Sequence, residues 1–288
     1  MQTCYLCKSS EFKRLPGQVR DKAELKILEC ESCGLVCLDS FDHIQDGYYE
    51  DSGMHDGGDE TTVQQWLRES AVDDRRRSEM LGAAATGRSL LDFGAGAGGF
   101  AEMIRDTAAS VAVVEPESRL EERYAKLGVQ RYADVSDLPE KPAFDLITMF
   151  HVMEHLPDPR AMLQALAAKL KPGGRIVIEV PAAHDALLRL YESEAFSKFT
   201  YWSCHLFLFT NETMRELLEQ AGLKVNFIKQ IQRYSVANHM HWLAKGRPGG
   251  HQQWSFLDSP ELHAAYEKQL ASLGLCDTII AEATLVSS

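Results

Sequence analysis

A glycine-rich turn between a buried strand and a helix constrains the fold of this chain more than any other feature. Residues 89–93, SLLDF, have the length and apolar composition of a buried parallel strand. Residues 94–99, GAGAGG, follow directly, and a helical pattern begins at Phe100. Glycines let the backbone approach a ligand closely, so this arrangement predicts a site for a nucleotide-like molecule at the end of the strand.

Strands and helices alternate along the rest of the chain. Strands are predicted at residues 89–93, 111–114, 130–133, 144–149, 175–180, 224–232 and 277–285. Helices are predicted at residues 63–85, 116–127, 158–170, 211–221 and 261–273, and a further helix begins at residue 100. This alternation predicts an α/β fold with a Rossmann-like, doubly wound parallel sheet of seven strands and ligands at the carboxyl ends of those strands.

An acidic residue ends the second strand of this sheet. Glu115 follows the apolar residues 111–114, where a carboxylate can accept both hydroxyls of a ribose. The glycines fit two patterns. Gly94, Gly96 and Gly99 match the dinucleotide pattern GxGxxG, whereas Gly94, Gly96 and Gly98 match a tighter methyltransferase pattern. The turn alone therefore leaves an NAD-dependent oxidoreductase as an alternative.

Four cysteines near the N-terminus are spaced as two CxxC pairs. Cys4 and Cys7 form the first pair, and Cys30 and Cys33 form the second. Two such turns aim four thiolates at one point, which predicts a tetrahedral zinc site with no open position, and hence a structural site. A segment this short buries little core, so metal binding would supply its folding energy. Cys37 lies outside the spacing, and we expect it to pack as a small apolar residue.

Length and composition bound the domain organisation. We expect a zinc-binding knot at residues 1–45, a linker and a helix covering the cofactor site at 46–85, and a catalytic domain at 86–288, with the knot as an appendage. The formal net charge is −12, which argues against nucleic acid as substrate because phosphate contacts need a basic face. The basic stretch at residues 73–77, DDRRR, is interpreted as a solvated helix face.

The ends and the hydropathy of the chain bear on its location. The first residues lack the basic and apolar regions of a signal peptide. No apolar run approaches the roughly 20 residues that span a bilayer. We therefore expect a cytoplasmic protein, as a monomer or a homodimer.

From about residue 89 to its end, the chain resembles the class I S-adenosylmethionine-dependent methyltransferases. Five motifs carry the resemblance: residues 91–98 (LDFGAGAG), 114–116 (VEP), 133–135 (ADV), 150–159 (FHVMEHLPDP) and 170–174 (LKPGG). The resemblance implies that S-adenosylmethionine is the cofactor. It implies a cofactor site made of Asp92, Gly94, Ala95, Gly96, Gly98, Glu115, Pro116, Asp134, Val135 and His151.

The same resemblance gives these residues their expected roles. The glycine turn would pack against the methionine part of the cofactor, and His151 would lie near that end. Glu115 would hold the ribose diol. Asp134 would meet the adenine amine, with Val135 beside the ring. A cap at the end of a strand remains an alternative role for Asp134.

Residues 151–155, HVMEH, also match the inverted zinc-protease motif HxxEH. That motif needs a continuous helix, but here it follows a strand and precedes Pro157 and Pro159, which disfavour one. The methyltransferase interpretation explains the segment better. His155 remains open between an acid or base at the acceptor pocket and a core histidine.

A knot of four cysteines followed by a methyltransferase domain is similar to the nucleotide-sugar C-methyltransferases. Those enzymes carry a tyrosine-containing stretch before the catalytic domain, matched here by residues 47–51, GYYED. They also carry Tyr-x-Glu-His after the fifth strand. Residues 202–205 read WSCH, so His205 matches but the tyrosine and the glutamate do not.

This departure bears on the chemistry. C-methylation needs a base and a donor that holds an enolate, whereas methylation of a hydroxyl or amine needs one base and in-line positioning. We therefore expect a small polar acceptor, a sugar or nucleotide-sugar, with the methylated atom unresolved between O, N and C. The catalytic candidates are His205 or His155 as base, together with Tyr49.

Two further segments are placed near the acceptor. Residues 199–210 interleave aromatic side chains with His205, which suits a pocket for a ring, although an apolar loop ending in a helix cap is the alternative. Residues 234–243 are expected to form a short helix near the cleft. A scaffold or oligomer contact is favoured for it, and contact of Asn238 and His239 with the acceptor is the alternative. Lys245 and Arg247 either meet a phosphate of the acceptor or face water. A ribosomal or transfer RNA methyltransferase that binds RNA through the knot stays as an alternative function, which the acidic charge disfavours.

Overall fold

A computed structural model of the chain describes residues 3–45, 47–49 and 60–286. Most of the predicted linker, including Glu50 and Asp51 of the tyrosine-containing stretch, lies outside the described residues. Among the helices that are described, none is both long and apolar enough to cross a bilayer.

The strands are β1 Phe12–Arg14, β2 Ile27–Cys30, β3 Val36–Leu38, β4 Ser89–Phe93, β5 Ser110–Val114, β6 Gln130–Tyr132, β7 Phe144–Phe150, β8 Leu170–Pro181, β9 Phe207–Leu208, β10 Leu223–Ile231 and β11 Thr278–Leu285. The α-helices are α1 Glu60–Ala85, α2 Gly99–Ile104, α3 Glu121–Leu127, α4 Pro159–Ala167, α5 Ala186–Arg189, α6 Glu194–Ser197, α7 Asn211–Gln220, α8 Val236–Lys245, α9 Gly250–Gln253 and α10 Pro260–Leu273. Short 3-10 helices span Ser118–Leu120, Val135–Asp137, Met153–His155 and Ser255–Leu257.

Seven of the described strands form one sheet in the order β10-β11-β8-β7-β4-β5-β6. Strands β6, β5, β4, β7 and β8 are parallel neighbours. Strand β4 has β5 on one side and β7 on the other, so the winding direction changes at β4. A crevice opens at the carboxyl ends of strands at such a point. The sheet confirms the predicted α/β, Rossmann-like, seven-stranded fold.

The last strand of the sheet runs opposite to the others, which corrects the expectation of a wholly parallel sheet. Strand β11 is antiparallel to β10 on one side and to β8 on the other. Strand β10 ends at Ile231, which pairs with Thr278 at the start of β11. Helices α8, α9 and α10 therefore return the chain to the same end of the sheet, next to the carboxyl end of β10. A strand that starts at this end must run antiparallel to β10.

Side chains of the central strands point alternately to the two faces of the sheet. Leu90 packs with residues of α1 and α2, whereas Leu91 packs in a second cluster with residues of α4 and α7. Leu146 and Ile147 of β7 repeat this division. Each such buried side chain stabilises the fold by about 1.5–3 kcal/mol, so the alternation fixes the register and hence the positions of the strand ends.

The four-cysteine knot shares its sheet and its core with the rest of the chain. Strand β9, which lies between α6 and α7, adds to β3 of the knot and completes a sheet in the order β1-β2-β3-β9. Val19 and Ile27 of the knot belong to the same apolar cluster as the central sheet. The knot therefore shares an apolar core with the central sheet, since so few residues bury little apolar surface on their own.

Helix α1 carries buried charges, so the interpretation of residues 73–77 as a solvated face is wrong. Asp73, Asp74 and Arg77 are all buried. Nη2 of Arg77 lies 2.6 Å from Oε1 of Glu179 on β8, and Asp73 pairs with Arg233 after β10. These acids and bases face partners on distant elements, which no local pattern in α1 reveals.

Candidate cofactor and acceptor site

The glycine turn after β4 adopts a backbone that favours glycine. Gly94, Gly96 and Gly98 have φ angles of 73°, 55° and 76°. A side chain at Gly94 would overlap Val152, and one at Gly96 would overlap the ring of Trp66. Only hydrogen fits at these positions, so the backbone of the turn forms the wall of the crevice itself.

Glu115 lies at the end of β5 beside this turn. It is buried, and its carboxylate accepts the N–H of Gly96 at 2.7 Å and the N–H of Glu117 at 3.0 Å. Burial raises the pKa of Glu115 to about 7. The carboxylate is therefore held in one orientation next to the glycine turn, as a diol-binding acid requires.

A first cavity, with about 760 Å³ of empty space, opens at these strand ends. Its lining is mostly apolar, as is usual for small-molecule sites. Among its lining residues are Tyr49, Trp66, Gly94, Gly96, Glu115, Pro116, His151 and His155. The first cavity thus brings together Gly94, Gly96, Glu115, Pro116 and His151 from the predicted cofactor residues.

Other predicted cofactor residues are not among the described lining of the first cavity. Asp92 is buried behind the turn, where it accepts the hydroxyl of Thr148 at 2.7 Å and burial raises its pKa to about 7. Asp134 is exposed and accepts the N–H of Ser136 at 2.8 Å, which lowers its pKa. This contact caps the short helix that contains Val135.

Ala95 and Gly98 complete the turn on the side that packs against the protein. The cap observed at Asp134 is the alternative role that the sequence left open, and it leaves contact with an adenine ring as a proposal. Half of the predicted set thus lines the first cavity, and the other half does not belong to its described lining.

His151 joins the first cavity to a charged cluster. It follows β7 with a φ of 54°, a strained backbone for a residue with a side chain. Its Nε2 lies 3.3 Å from Oε1 of Glu179 and 3.2 Å from Nη1 of Arg233. Burial and Arg233 act to lower the pKa of His151, but the nearby carboxylates of Glu154 and Glu179 outweigh them and raise it.

The segment HVMEH does not form the helix that a zinc protease needs. Only Met153–His155 is helical, as a single 3-10 turn, and His151 precedes it in a left-handed conformation. The two histidines of the motif therefore do not share a helix face, which supports the rejection of that motif.

The predicted catalytic residues meet at one end of the first cavity. The hydroxyl of Tyr49 donates to the carbonyl oxygen of His155 at 3.1 Å. The ring of His205 lies 5.0 Å from the ring of His155, centroid to centroid. His155 Nδ1 lies 2.8 Å from the carbonyl oxygen of Cys204. Three segments that are distant in sequence thus place Tyr49, His155, Cys204 and His205 together.

A second cavity, with about 930 Å³ of empty space, adjoins the first at His151. Among its described lining are His205, Asn238 and His239, together with aromatic residues that include Phe199 and Trp242. Asn238 and His239 thus line a cleft, and their contact with the acceptor stays a prediction. Lys245 and Arg247 are exposed and do not belong to the described lining of this cavity.

The four cysteines of the knot converge. The Sγ atoms of Cys4 and Cys33 are 3.5 Å apart, as are those of Cys7 and Cys30, and all four lie within 4.8 Å of one another. Zinc–sulfur bonds of about 2.3 Å in a tetrahedron place sulfurs at about this separation. Cys37 is buried outside the group. The thiols fit a structural zinc ion.

The knot also contacts the segment that carries His205. The carboxylate of Asp21 accepts the N–H and the hydroxyl of Ser203, at 3.0 and 2.6 Å. His43 Nε2 lies 2.7 Å from the carbonyl oxygen of Ser203. The knot therefore holds the loop at the junction of the two cavities.

Sequence reasoning missed several residues of this site. Trp66 reaches the first cavity from α1, and Arg233 reaches His151 from the end of β10; neither stands in a motif. Glu154 was noted only as part of the HxxEH spacing. Glu179 interrupts the apolar run at residues 176–180 of β8, and that interruption was an available signal.

Comparisons with known proteins agree with this geometry. Residues 64–226 match a family model described as a methyltransferase domain. A ubiquinone biosynthesis O-methyltransferase of Alkalilimnicola ehrlichii is 31% identical over 104 residues, which is 32% of this chain and 40% of that protein. One of Xanthomonas euvesicatoria is 38% identical over 101 residues, 32% of this chain and 42% of that protein. The chain thus spans about two fifths of the length of these curated relatives.

Solved structures share the fold. A SAM-dependent methyltransferase from Archaeoglobus fulgidus superposes with a TM-score of 0.53 at 19% identity, over 76% of this chain and 98% of that one. Phosphoethanolamine N-methyltransferase 2 of Haemonchus contortus, in complex with S-adenosyl-L-methionine, superposes with a TM-score of 0.51 at 17% identity. The match covers 86% of this chain and 60% of that one. Identities this low bear on the fold alone.

Proposed function

The chain belongs to the methyltransferase domain family, and on that premise we propose that it transfers a methyl group from S-adenosylmethionine to a small polar acceptor. The observation that carries the proposal is the pairing of the buried Glu115 carboxylate with the left-handed glycine turn in one cavity. Family membership disfavours the NAD-dependent oxidoreductase.

The cofactor takes the first cavity in this proposal. Glu115 holds the ribose diol, while the backbone of Gly94 and Gly96 lies along the methionine part and His151 stands at its end. Pro116 and the region of Asp134 and Val135 lie on the adenine side. Asp92, Ala95 and Gly98 support the turn from behind. The fit of a diol to Glu115 rests on the fixed orientation of its carboxylate.

The acceptor takes the second cavity. This cavity meets the first at His151, so a molecule within it faces the methyl end of the cofactor. The aromatic rings of Phe199 and Trp242 suit the face of a sugar or another ring, and Asn238 offers a polar contact. We propose a sugar or nucleotide-sugar acceptor. A hydroxylated ring compound is the alternative that the names of the curated relatives suggest.

Activation of the acceptor falls to the cluster of His155, His205 and Tyr49. As the bond between sulfur and the methyl group breaks, a bond forms between that methyl group and an oxygen or nitrogen of the acceptor. The proton of that atom passes to the imidazole of His205 or His155. The two imidazoles stand at the junction where this proton is lost.

The knot has a supporting part in this function. We propose that a structural zinc ion binds Cys4, Cys7, Cys30 and Cys33. Residues 1–45 then form the zinc-binding knot, 46–85 the linker and the helix that covers the first cavity through Trp66, and 86–288 the methyltransferase domain. The contacts of Asp21 and His43 with Ser203 give the knot a role in shaping the acceptor side.

A transfer assay with labelled S-adenosylmethionine tests the proposal. Pools of nucleotide-sugars and of dihydroxylated aromatic acids serve as separate acceptors, and the label is followed into product by mass spectrometry. We expect label in the nucleotide-sugar pool together with formation of S-adenosylhomocysteine. Label only in the aromatic pool would overturn the sugar assignment, and label in RNA alone would overturn the small-molecule acceptor.

A further inference from the structure

We propose that His155, Cys204 and His205 form a second metal site, for a zinc-like divalent ion, at the junction of the two cavities. The presence of the site does not depend on the proposed function. Its role in activating the acceptor does rest on methyl transfer.

The donor atoms are of the right kind and close together. Two imidazole nitrogens and one thiol sulfur all lie within 4.8 Å of one another, the same limit that the four sulfurs of the knot satisfy. Nitrogen and sulfur donors in this mixture select zinc and late first-row metals over magnesium or calcium. Bond lengths of about 2.0–2.3 Å require the donors to approach by about 1 Å from that limit.

The backbone holds the two donor segments against each other. The N–H of Leu206 donates to the carbonyl oxygen of Glu154 at 2.8 Å, next to the contact of His155 Nδ1 with the carbonyl oxygen of Cys204. When Nδ1 donates to that carbonyl, Nε2 keeps its lone pair. This is the arrangement that orients a metal-binding histidine.

A buried carboxylate beside the donors gives a second, independent observation. Glu154 has no exposed surface, and neither of its carboxylate oxygens has a hydrogen-bond partner among the described residues. Oε1 lies 4.0 Å from His155 Nε2, and His151 Nδ1 lies 3.3 Å from it without hydrogen-bond geometry. His151 compensates this charge only in part. Because burying a carboxylate without full compensation is costly, a divalent cation at the cluster would stabilise it further.

The position of the cluster gives the ion a function. His155 lines the first cavity and His205 lines the second, so an ion between them faces both. Three protein ligands leave a position open, as in catalytic zinc sites. With the ion bound, the two imidazoles serve as its ligands and not as the base. An acceptor hydroxyl at the open position then loses its proton to water more readily, because the ion lowers the pKa of that hydroxyl. The resulting oxygen attacks the methyl group as the sulfur leaves as a neutral thioether.

Counting bound zinc tests the site. The full-length protein is loaded with zinc, dialysed, and analysed by atomic absorption as the wild type and as Cys204→Ser and His205→Ala. Cys276→Ser is the matched control, because Cys276 is also buried and free but lies outside both groups of ligands. We expect each cluster variant to bind one zinc fewer per chain than the wild type, and Cys276→Ser to bind the same number.

A cobalt-loaded sample gives a second readout. The absorption band from thiolate to cobalt should weaken in Cys204→Ser and stay unchanged in Cys276→Ser. Equal zinc content in the wild type and Cys204→Ser would overturn the site. S-adenosylmethionine binding is measured on the same samples. Loss of one zinc from a protein that binds no S-adenosylmethionine would leave the site standing and refute the proposed function.

Discussion

Replacing Arg77 by methionine should destabilise the fold strongly, because it leaves a buried carboxylate short of a partner. Glu179 is fully buried, and Arg77 reaches its Oε1 through Nε at 3.1 Å and Nη2 at 2.6 Å. Burial opposes ionisation of Glu179, but its contacts with His151 and Arg77 hold its pKa well below the usual range. The carboxyl therefore stays charged at neutral pH and needs its cation.

The size of the effect follows from this environment. Breaking a buried ion pair costs about 3–5 kcal/mol. Arg76 also reaches Glu179, at 2.8 Å, and compensates in part, so we expect about 3 kcal/mol. An unfolding entropy of about 2.1 cal/mol/K per residue converts this into a fall in Tm of roughly 5 °C for a chain of this size.

Thermal unfolding followed by circular dichroism measures the change. Arg75→Met is the matched control, because Arg75 stands on the same helix and is exposed. It should shift Tm by less than about 1 °C, since surface substitutions usually stay within about 0.5 kcal/mol. Equal shifts in the two variants would refute the reasoning that the pair with Glu179 anchors α1 to β8.

Three further outcomes follow from the site. Gly96→Ala should weaken S-adenosylmethionine binding at least about tenfold, since a side chain there overlaps an aromatic ring of the wall. Gly222 also has a positive φ but open space around it, so Gly222→Ala should leave the affinity unchanged. Calorimetry measures both variants. Affinity for S-adenosylmethionine should rise with pH up to about 7 and then level off, because the ribose needs the ionised form of Glu115. Burial raises the pKa of Glu115 to about 7. A flat calorimetric profile from pH 5.5 to 8.5 would contradict this prediction. Asp21→Ala should lower kcat several-fold and leave cofactor affinity unchanged, because it frees Ser203 on the acceptor side only; an equal loss of affinity would argue against this division.

The fold was largely predictable because its signals are local. The apolar run of β4 and the glycines after it define a strand, a turn and a helix within a dozen residues. The direction of β11 was not predictable in this way. The direction of β11 depends on the end of the sheet to which helices α8 to α10 return the chain. Packing between distant elements determines which end that is.

The residues of the site also differ in how far local sequence signals identify them. Gly94, Gly96 and Glu115 were identified because each stands directly after a predicted strand, and strand ends converge at one edge. Trp66 and Arg233 contribute from elements far away in sequence and carry no motif. The charges around Arg77 were misinterpreted for a related reason, since their buried partner Glu179 lies on another element.

Calorimetric titration with S-adenosylmethionine tests the central claim most directly. It is carried out on the wild type, on Glu115→Ala, and on Glu122→Ala as a control on exposed surface. We expect micromolar binding by the wild type and the control, and binding about a hundredfold weaker in Glu115→Ala, since each hydrogen bond to a charged group contributes about 1.5–3 kcal/mol. Binding of NAD in place of S-adenosylmethionine, or unchanged affinity in Glu115→Ala, would contradict the account.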